Sequence, residues 1–287
     1  MIYRRHHGPP RFVRRMGCAF AALIVFSAIA ASTLVSLLSR TPQRRLAIAV
    51  IALIVAAVVI STFACAIRRA ARVFGEQNRL RRQLMADVAH ELRTPLAILQ
   101  GRIEGLIDGV YPRDDARLGE LLAETDHLSR LVEDVRTLAN AEAGALDLRK
   151  ERVDLAELIR DAAGSFGTPI AVEAPETLPP IEADPVRIRE VLLNLLSNAV
   201  QHAPDGKVSI HAESRAREIV IRVRDDGPGI PAEELPRIFE RFRKGRHSRG
   251  SGLGLAIAQK LVLAHGGTIG VESAEGAGTT VTIKLPE

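Results

Sequence analysis

Two long stretches without a single charged residue, Met16–Leu38 and Leu46–Ile67, stand near the start of the chain. Each exceeds the roughly 20 residues a helix needs to cross the hydrocarbon core of a bilayer, so the pattern predicts two transmembrane helices. Only "SRTPQRR" separates them, too short to fold by itself. From Arg68 the pattern changes. Leu84, Val88, Leu92, Leu96, Leu99, Ile103, Leu106 and Val110 recur in steps of three and four, and Leu118, Leu121, Thr125, Leu128, Val132, Val135 and Leu138 form a second such series. Steps of this kind mark helices that pack along one face. "YPRDDAR" (Tyr111 to Arg117) divides the series, with Pro112 as breaker and two Asp as candidate caps, which predicts two antiparallel helices. A lone hairpin buries too little apolar surface, so an all-α dimeric four-helix bundle with two helices per chain is expected.

Beyond about Lys150 helix and strand patterns mix. Pro185 to Ala203 reads as a helix with Pro in its first turn. "KVSIHAES" and "EIVIRVRDD" alternate with period two and predict paired strands. "GLGLAIAQKLVLAHGG" predicts a helix bounded by glycines, and "GTIGVESA" and "GTTVTIKL" two more strands. The expected fold of this part is an α+β sandwich with helices on one sheet.

Composition sharpens the division. The chain is 47% hydrophobic yet 25% charged, so its apolar excess is segregated into the two runs. A cleaved signal peptide would have an apolar core of about 7–15 residues, shorter than Met16–Leu38. The net charge is +5, but the arginines crowd around the runs, which points to a membrane surface and away from nucleic acid. Arg4, Arg5, Arg11, Arg14 and Arg15 on one flank and Arg68, Arg69, Arg72, Arg79, Arg81 and Arg82 on the other outnumber Arg40, Arg44 and Arg45 between the runs. The positive-inside bias then places both flanks in the cytoplasm of a multi-pass membrane protein. Cys18 and Cys65 both lie inside the apolar runs, which excludes a disulfide scaffold or zinc site. The expected organisation is a basic N-terminus (1–15), a first span (16–38), an outer loop (39–45), a second span (46–67), a helical domain (68–148) and an α+β domain (149–287).

The stretch "DVAHELRTPLAIL" concentrates the chemistry. At about 100° per residue, His90 lies roughly 200° from the apolar Val88 and faces solvent. Asp87, His90, Glu91 and Thr94 form one polar stripe, and Pro95 is expected to bend the helix just after it. A neutral imidazole held through one ring N–H by a carboxylate presents its other nitrogen as a nucleophile, and Glu91 is placed to orient it. Further on, Asn194 and Asn198 share one helix face. Asp225 precedes a Gly-Pro-Gly turn, and Gly250, Gly252 and Gly254 precede a helix whose N-terminal N–H groups suit phosphate.

"HELRTPL" resembles the phosphoacceptor box of bacterial sensor histidine kinases. "NLLSN", "DDGPGI", "FERF" and "GSGLGL" resemble their N, first glycine, F and second glycine boxes, in the family's order. The resemblance covers Arg68 to the end and implies a GHKL-type (Bergerat) ATP-binding fold. It implies autophosphorylation from ATP on His90 and transfer to an Asp of a cognate response regulator. Glu91 would be base and orienter, and Thr94 would serve a phosphatase activity toward that regulator. ATP would be held by Asn194, Asn198, Asp225, Gly227, Gly229, Ile230, Gly250, Gly252, Leu253, Gly254 and Leu255, with Phe239 and Phe242 as anchors of a basic lid between Pro231 and Arg249 that contains Arg243 and Lys244. Mg2+ would bind at Asn194, with Glu190 as a candidate second ligand. The family often has Lys or Arg three residues after its second Asn; here Gln201 and His202 stand there, leaving His202, Arg243 and Lys244 as alternatives for neutralising phosphate. About 22 residues separate Ile67 from His90, too few for the relay domain of many relatives, which needs roughly 50. Any input then comes from the bilayer or a membrane partner protein, unless the hairpin only anchors. A nucleotide-binding scaffold or a chaperone-like ATPase would leave the His90 helix without a role.

Overall fold

The computed structural model describes residues 26, 29–31, 33, 41–204, 206–243 and 250–287, without the side chains at 44, 45, 48, 70 and 72–84. The expected first span, the basic N-terminus, part of the outer loop and Lys244 therefore fall outside the described residues, except that residues 26, 29–31 and 33 are helical. The chain divides into two units, Met1–Ala86 and Asp87–Glu287.

In the first unit, helix α1 (Pro42–Ile107) opens with a proline, whose missing N–H is unneeded at a helix start. Its segment Ala49–Arg69 is the one stretch among the described residues long and apolar enough to cross a membrane. Val50, Leu53, Ile54 and Val58 are exposed along it. Thr62 donates its hydroxyl to the Val59 carbonyl at 3.0 Å, so it brings no free O–H into the apolar segment.

In the second unit α1 continues past His90. The bend expected at Pro95 does not end it: the backbone stays helical to Ile107 and the proline is buried. Proline removes one ladder bond here without breaking the element. The connection comes earlier than the apolar spacing predicts. Gly109 adopts φ +74, Tyr111 donates its N–H to the Gly105 carbonyl at 3.0 Å, and Val110 falls in the loop rather than in the helix. A left-handed glycine terminates the helix despite the continuing pattern. Helix α2 (Asp115–Glu142) is capped by Asp114, whose carboxylate accepts from Arg117 N–H. Arg102 of α1 and Glu120 of α2 pair at 3.3 Å.

The seam expected in α2 is only partly covered. Leu131, Thr137 and Leu138 are buried, whereas Leu118 and Val132 are more than half exposed and Thr125 is exposed. Leu96, Ile103 and Ile107 of α1 are also exposed. One hairpin cannot cover both faces of its own helices, which leaves this apolar row on the surface.

The remainder is α+β. A two-stranded antiparallel sheet pairs β1 (Glu151–Val153) with β3 (Ile181–Ala183). Strands β2 (Ile170–Glu173), β4 (Val208–Arg215), β5 (Glu218–Asp225), β6 (Thr268–Ser273) and β7 (Thr279–Pro286) make a five-stranded sheet in the order β2-β4-β5-β7-β6. Helices α3 (Leu155–Gly164), α4 (Pro185–His202) and α5 (Gly254–Ala264) bring Ile159, Ile188, Leu192, Leu196 and Ile257 to a core shared with Ile210, Ile219, Ile221 and Ile283. Period-two alternation in β4 and β7 buries every second residue, which fixes the register of each strand. Asp184 caps α4 by accepting from Val186 and Arg187 N–H, and its second oxygen accepts from Arg149 N–H.

Candidate functional site

The polar stripe on α1 stands as its spacing predicts. Asp87, His90 and Thr94 are exposed, Glu91 is half-buried, and Pro95 beneath them is buried. An exposed imidazole on a rigid helix can be reached by two reactants in turn.

The second group of residues gathers where α4 packs against α5 and in the turns around them. Asn194, Asn198 and Glu190 follow one another at helical spacing on α4. Gly254, the first residue of α5, faces Asn194: a Cβ there would sit 3.3 Å from the Asn194 Oδ1. Asn194 Nδ2 is buried with no hydrogen-bond partner among the described residues. A buried carboxamide left unpaired is costly, and it is the kind of group a ligand completes. Glu190 is engaged differently, pairing with Arg187 at 2.7 Å.

Asp225 ends β5 and is only 5% exposed. Burial pushes its carboxyl above the ordinary carboxylate range, against N–H donation from Gly227 and Thr279. Gly227 is pressed between the His202 carbonyl and Asp225 Oδ1, 2.7 and 2.9 Å from where its Cβ would be. Gly229 has φ +72, and a Cβ would collide with the Ala274 carbonyl. Ile230 N–H donates to Ser273 Oγ at 2.9 Å, which braces this turn against β6. Only glycine allows such backbone approach.

The lid's described ends converge on the second glycine turn. Phe239 and Phe242 are half-buried, and Phe242 holds a left-handed φ of 57. Gly252, at φ +72, packs on the backbone of Phe242 and Arg243, leaving no room for a Cβ. Arg243 reaches Glu234 only at 3.9 Å, and its Nε is buried without a partner among the described residues. Gly250 and Leu255 are half-buried, and Leu253, fully buried, heads α5. A short loop followed by bare N–H groups is a ready anion site.

Among the described residues, no three His, Cys, Asp or Glu side chains form a metal cage. A magnesium ion held by one or two side-chain oxygens together with substrate phosphates needs none, and the Asn194 carboxamide fits that donor set. Sequence reasoning missed Asp134, Glu142, Arg241 and Ser251, which join α2 to the lid ends: Ser251 donates to Asp134 at 3.2 Å, and Arg241 pairs with Glu142 at 2.9 Å. No local pattern signals a hydrogen bond across 117 residues.

Residues 80–144 match the His Kinase A (phospho-acceptor) domain family, and residues 183–287 match the family of histidine kinase-, DNA gyrase B- and HSP90-like ATPases. Signal transduction histidine-protein kinase BaeS of Escherichia coli (strain K12) is 34% identical over 224 residues, 74% of this chain and 48% of BaeS. The chain thus spans about half the length of that relative. The structure of histidine kinase AdeS of Acinetobacter baumannii has a TM-score of 0.59 at 33% identity, covering 69% of this chain and 97% of the AdeS chain. Histidine kinase ThkA, solved in complex with response regulator protein TrrA, has a TM-score of 0.58 at 27% identity, over 74% of this chain and 65% of its own.

Proposed function

Because this chain belongs to the sensor histidine kinase family, we propose that it phosphorylates itself on His90 from ATP and passes the phosphoryl group to an Asp of a response regulator. One observation carries the reading. An exposed histidine on a helix is joined in one chain to a cluster in which the unpartnered Asn194 amide faces a glycine-led helix and a buried carboxylate backs a glycine turn.

In the proposed reaction an imidazole nitrogen of His90 attacks the γ-phosphorus in line. The N–P bond forms as the bond to the β,γ-bridging oxygen breaks, and ADP leaves with that electron pair. Glu91 orients the ring through its other N–H and takes that proton as charge develops. Asp225 accepts from the adenine amino group, and the turns at Gly227 and Gly229 let backbone approach the base. Asn198 and the N–H groups at Gly252, Gly254 and Leu255 face the phosphates, flanked by Arg243 and Lys244, while Leu253 shapes the turn through its N–H to Ser251 Oγ. Mg2+, when bound at Asn194, would neutralise triphosphate charge.

The regulator's Asp then attacks the phosphohistidine, the P–N bond breaks and His90 is regenerated. The complex of ThkA with a response regulator supports such a partner. Thr94, one turn beyond His90, orders water for removal of phosphate from the regulator. The exposed apolar row of Leu96, Ile103, Ile107, Leu118 and Val132 supports a homodimer in which a second hairpin completes a four-helix bundle. The Ala49–Arg69 segment supports a membrane location; a second span at 16–38, with both flanks in the cytoplasm, is part of the same reading.

The test is labelling of the full chain with γ-labelled ATP. Wild type acquires acid-labile, alkali-stable label and His90→Gln acquires none while still binding nucleotide. Label persisting on His90→Gln would refute the acceptor assignment.

A further inference from the structure

Asp225 is held from one side by the hairpin between β6 and β7, none of whose residues belongs to the motifs of the sequence. Ser273, the last residue of β6, and Thr279, the first of β7, are register partners across that hairpin. The Ser273 hydroxyl is fully used. Its one proton goes to the Gly278 carbonyl at 2.7 Å. It accepts the Ile230 N–H at 2.9 Å, and the Thr279 hydroxyl, 3.0 Å away, must then be the donor of the third bond.

Each of these partners leads to Asp225 or to the glycine turn that follows it. Thr279 is the register partner of Asp225, and its backbone N–H donates to the Asp225 carboxylate. Gly278 lies so close to the Asp225 carbonyl that a Cβ would collide with it. Ile230 closes the turn, and Gly276 N–H meets the Pro228 carbonyl of the same turn at 2.7 Å. Asp225 has a further tether, Gly227 N–H to Oδ1 at 3.0 Å, but that bond lies inside the turn and moves with it. The bonds through Ser273 are what tie the turn to the sheet.

We propose that Ser273 is a positioning residue for base recognition: its hydroxyl fixes where the Asp225 carboxylate stands relative to the Gly227–Gly229 turn, and so sets a preference for adenine over guanine. The proposal rests on the reading above in which Asp225 accepts from the adenine amino group.

A carboxylate tells the two bases apart only if its aim is fixed. Adenine carries an amino donor where guanine carries a carbonyl oxygen. A well-placed carboxylate gains a hydrogen bond from the first and is repelled by the second, whereas a wandering one loses both effects. The phosphate turn at Gly252–Leu255 shares none of the Ser273 bonds. Loss of the hydroxyl is therefore felt in the binding of the base and not in phosphoryl transfer.

The test uses the full chain in lipid nanodiscs, with ATP and GTP competing against a fluorescent ATP analogue and with labelling rates measured over a range of ATP concentrations. Ser273→Ala should lower the ratio of ATP to GTP affinity by about three- to tenfold, the worth of one hydrogen bond. KM for ATP should rise by a similar factor with kcat unchanged. Ser273→Cys keeps the volume but offers only a weakly bonding thiol, so it should lower the ratio in the same direction even if Ser273→Ala melts. Thr280→Ala, on the opposite face of β7, should keep the wild-type ratio. A merely loosened domain would weaken ATP and GTP alike and leave the ratio where it was. An unchanged ratio in both Ser273 variants, or an equal fall in Thr280→Ala, would overturn the role of Ser273. A wild-type chain that binds ATP without preference over GTP would overturn the base site at Asp225 itself, and the proposal with it.

Discussion

The Nε2 of His265, at the end of α5, accepts the backbone N–H of Asp184, the residue that caps α4, at 3.1 Å. Its Nδ1 lies 2.8 Å from the Leu261 carbonyl, so the ring is a neutral tautomer with its proton on Nδ1. One buried ring thereby ties together the two helices that carry Asn194 and Gly254. His265→Ala leaves the Asp184 N–H buried and unpaired and opens a cavity, which should cost about 2–4 kcal/mol. Denaturant melts of wild type and variant, at equal slope, measure it.

Acidity gives a second expectation. Burial pushes Asp134 up to about 6 from its ordinary value near 3.8, opposed by the Ser251 hydrogen bond and reinforced by Glu190. The remaining neighbours on its own helix are Arg130, which lowers it, and Glu133, which raises it. The folded state therefore holds this proton more tightly than the unfolded chain. The resulting stability is full below about pH 3.8 and is lost as pH rises through about 6. Asp134→Asn should flatten the thermal melting profile between those two values. A variant profile with the wild-type slope would remove Asp134 from the explanation.

Thr94 tests the stripe on α1. Being exposed, it contributes little to stability, so Thr94→Ala should fold normally and label His90 at close to the wild-type rate. Removal of phosphate from the regulator should slow by about tenfold or more, within the range of a single positioned catalytic group. Equal loss of labelling and dephosphorylation would instead assign Thr94 to the shape of the helix before Pro95.

Gly254→Val tests the face opposite Asn194. Even a Cβ would come 3.3 Å from the Asn194 carboxamide, and a branched side chain must displace it. Magnesium-dependent ATP binding should fall by about tenfold or more, equivalent to about 1.4 kcal/mol. The melting temperature should move by only a few degrees. Titration calorimetry with and without magnesium distinguishes this from general damage to the site.

Long periodic elements were legible in the sequence because their pattern records which face is buried. β7 alternates over eight residues and β4 over its first six, and α4 repeats Ile188, Leu192 and Leu195 at helical spacing. The glycines of the two turns were legible because backbone crowding at Gly229 and Gly252 admits no side chain. Short elements were not. β1, β2 and β3 have only three or four residues, too few to show a period, and α3 is a short helix between them. The end of α1 was misplaced because Val110 keeps the apolar rhythm while Gly109 turns the backbone. Leu131 escaped the predicted seam because what covers it is the nucleotide domain rather than another bundle helix. Asp134 was invisible for the same reason: on a helix with many charges, a carboxylate looks solvated until its partner arrives from elsewhere in the chain.

The order of the sheet also governs synthesis. β7, though the last of the five strands in chain order, lies between β5 and β6. Until residues 279–286 leave the ribosome, β5 offers one open edge and β6 has no neighbour in the sheet, the condition in which strands join the wrong chain. Asp225 is the residue opposite Thr279 in that register. The surroundings of Asp225 are therefore completed only by the last of these five strands in chain order, after every other part of the sheet already exists.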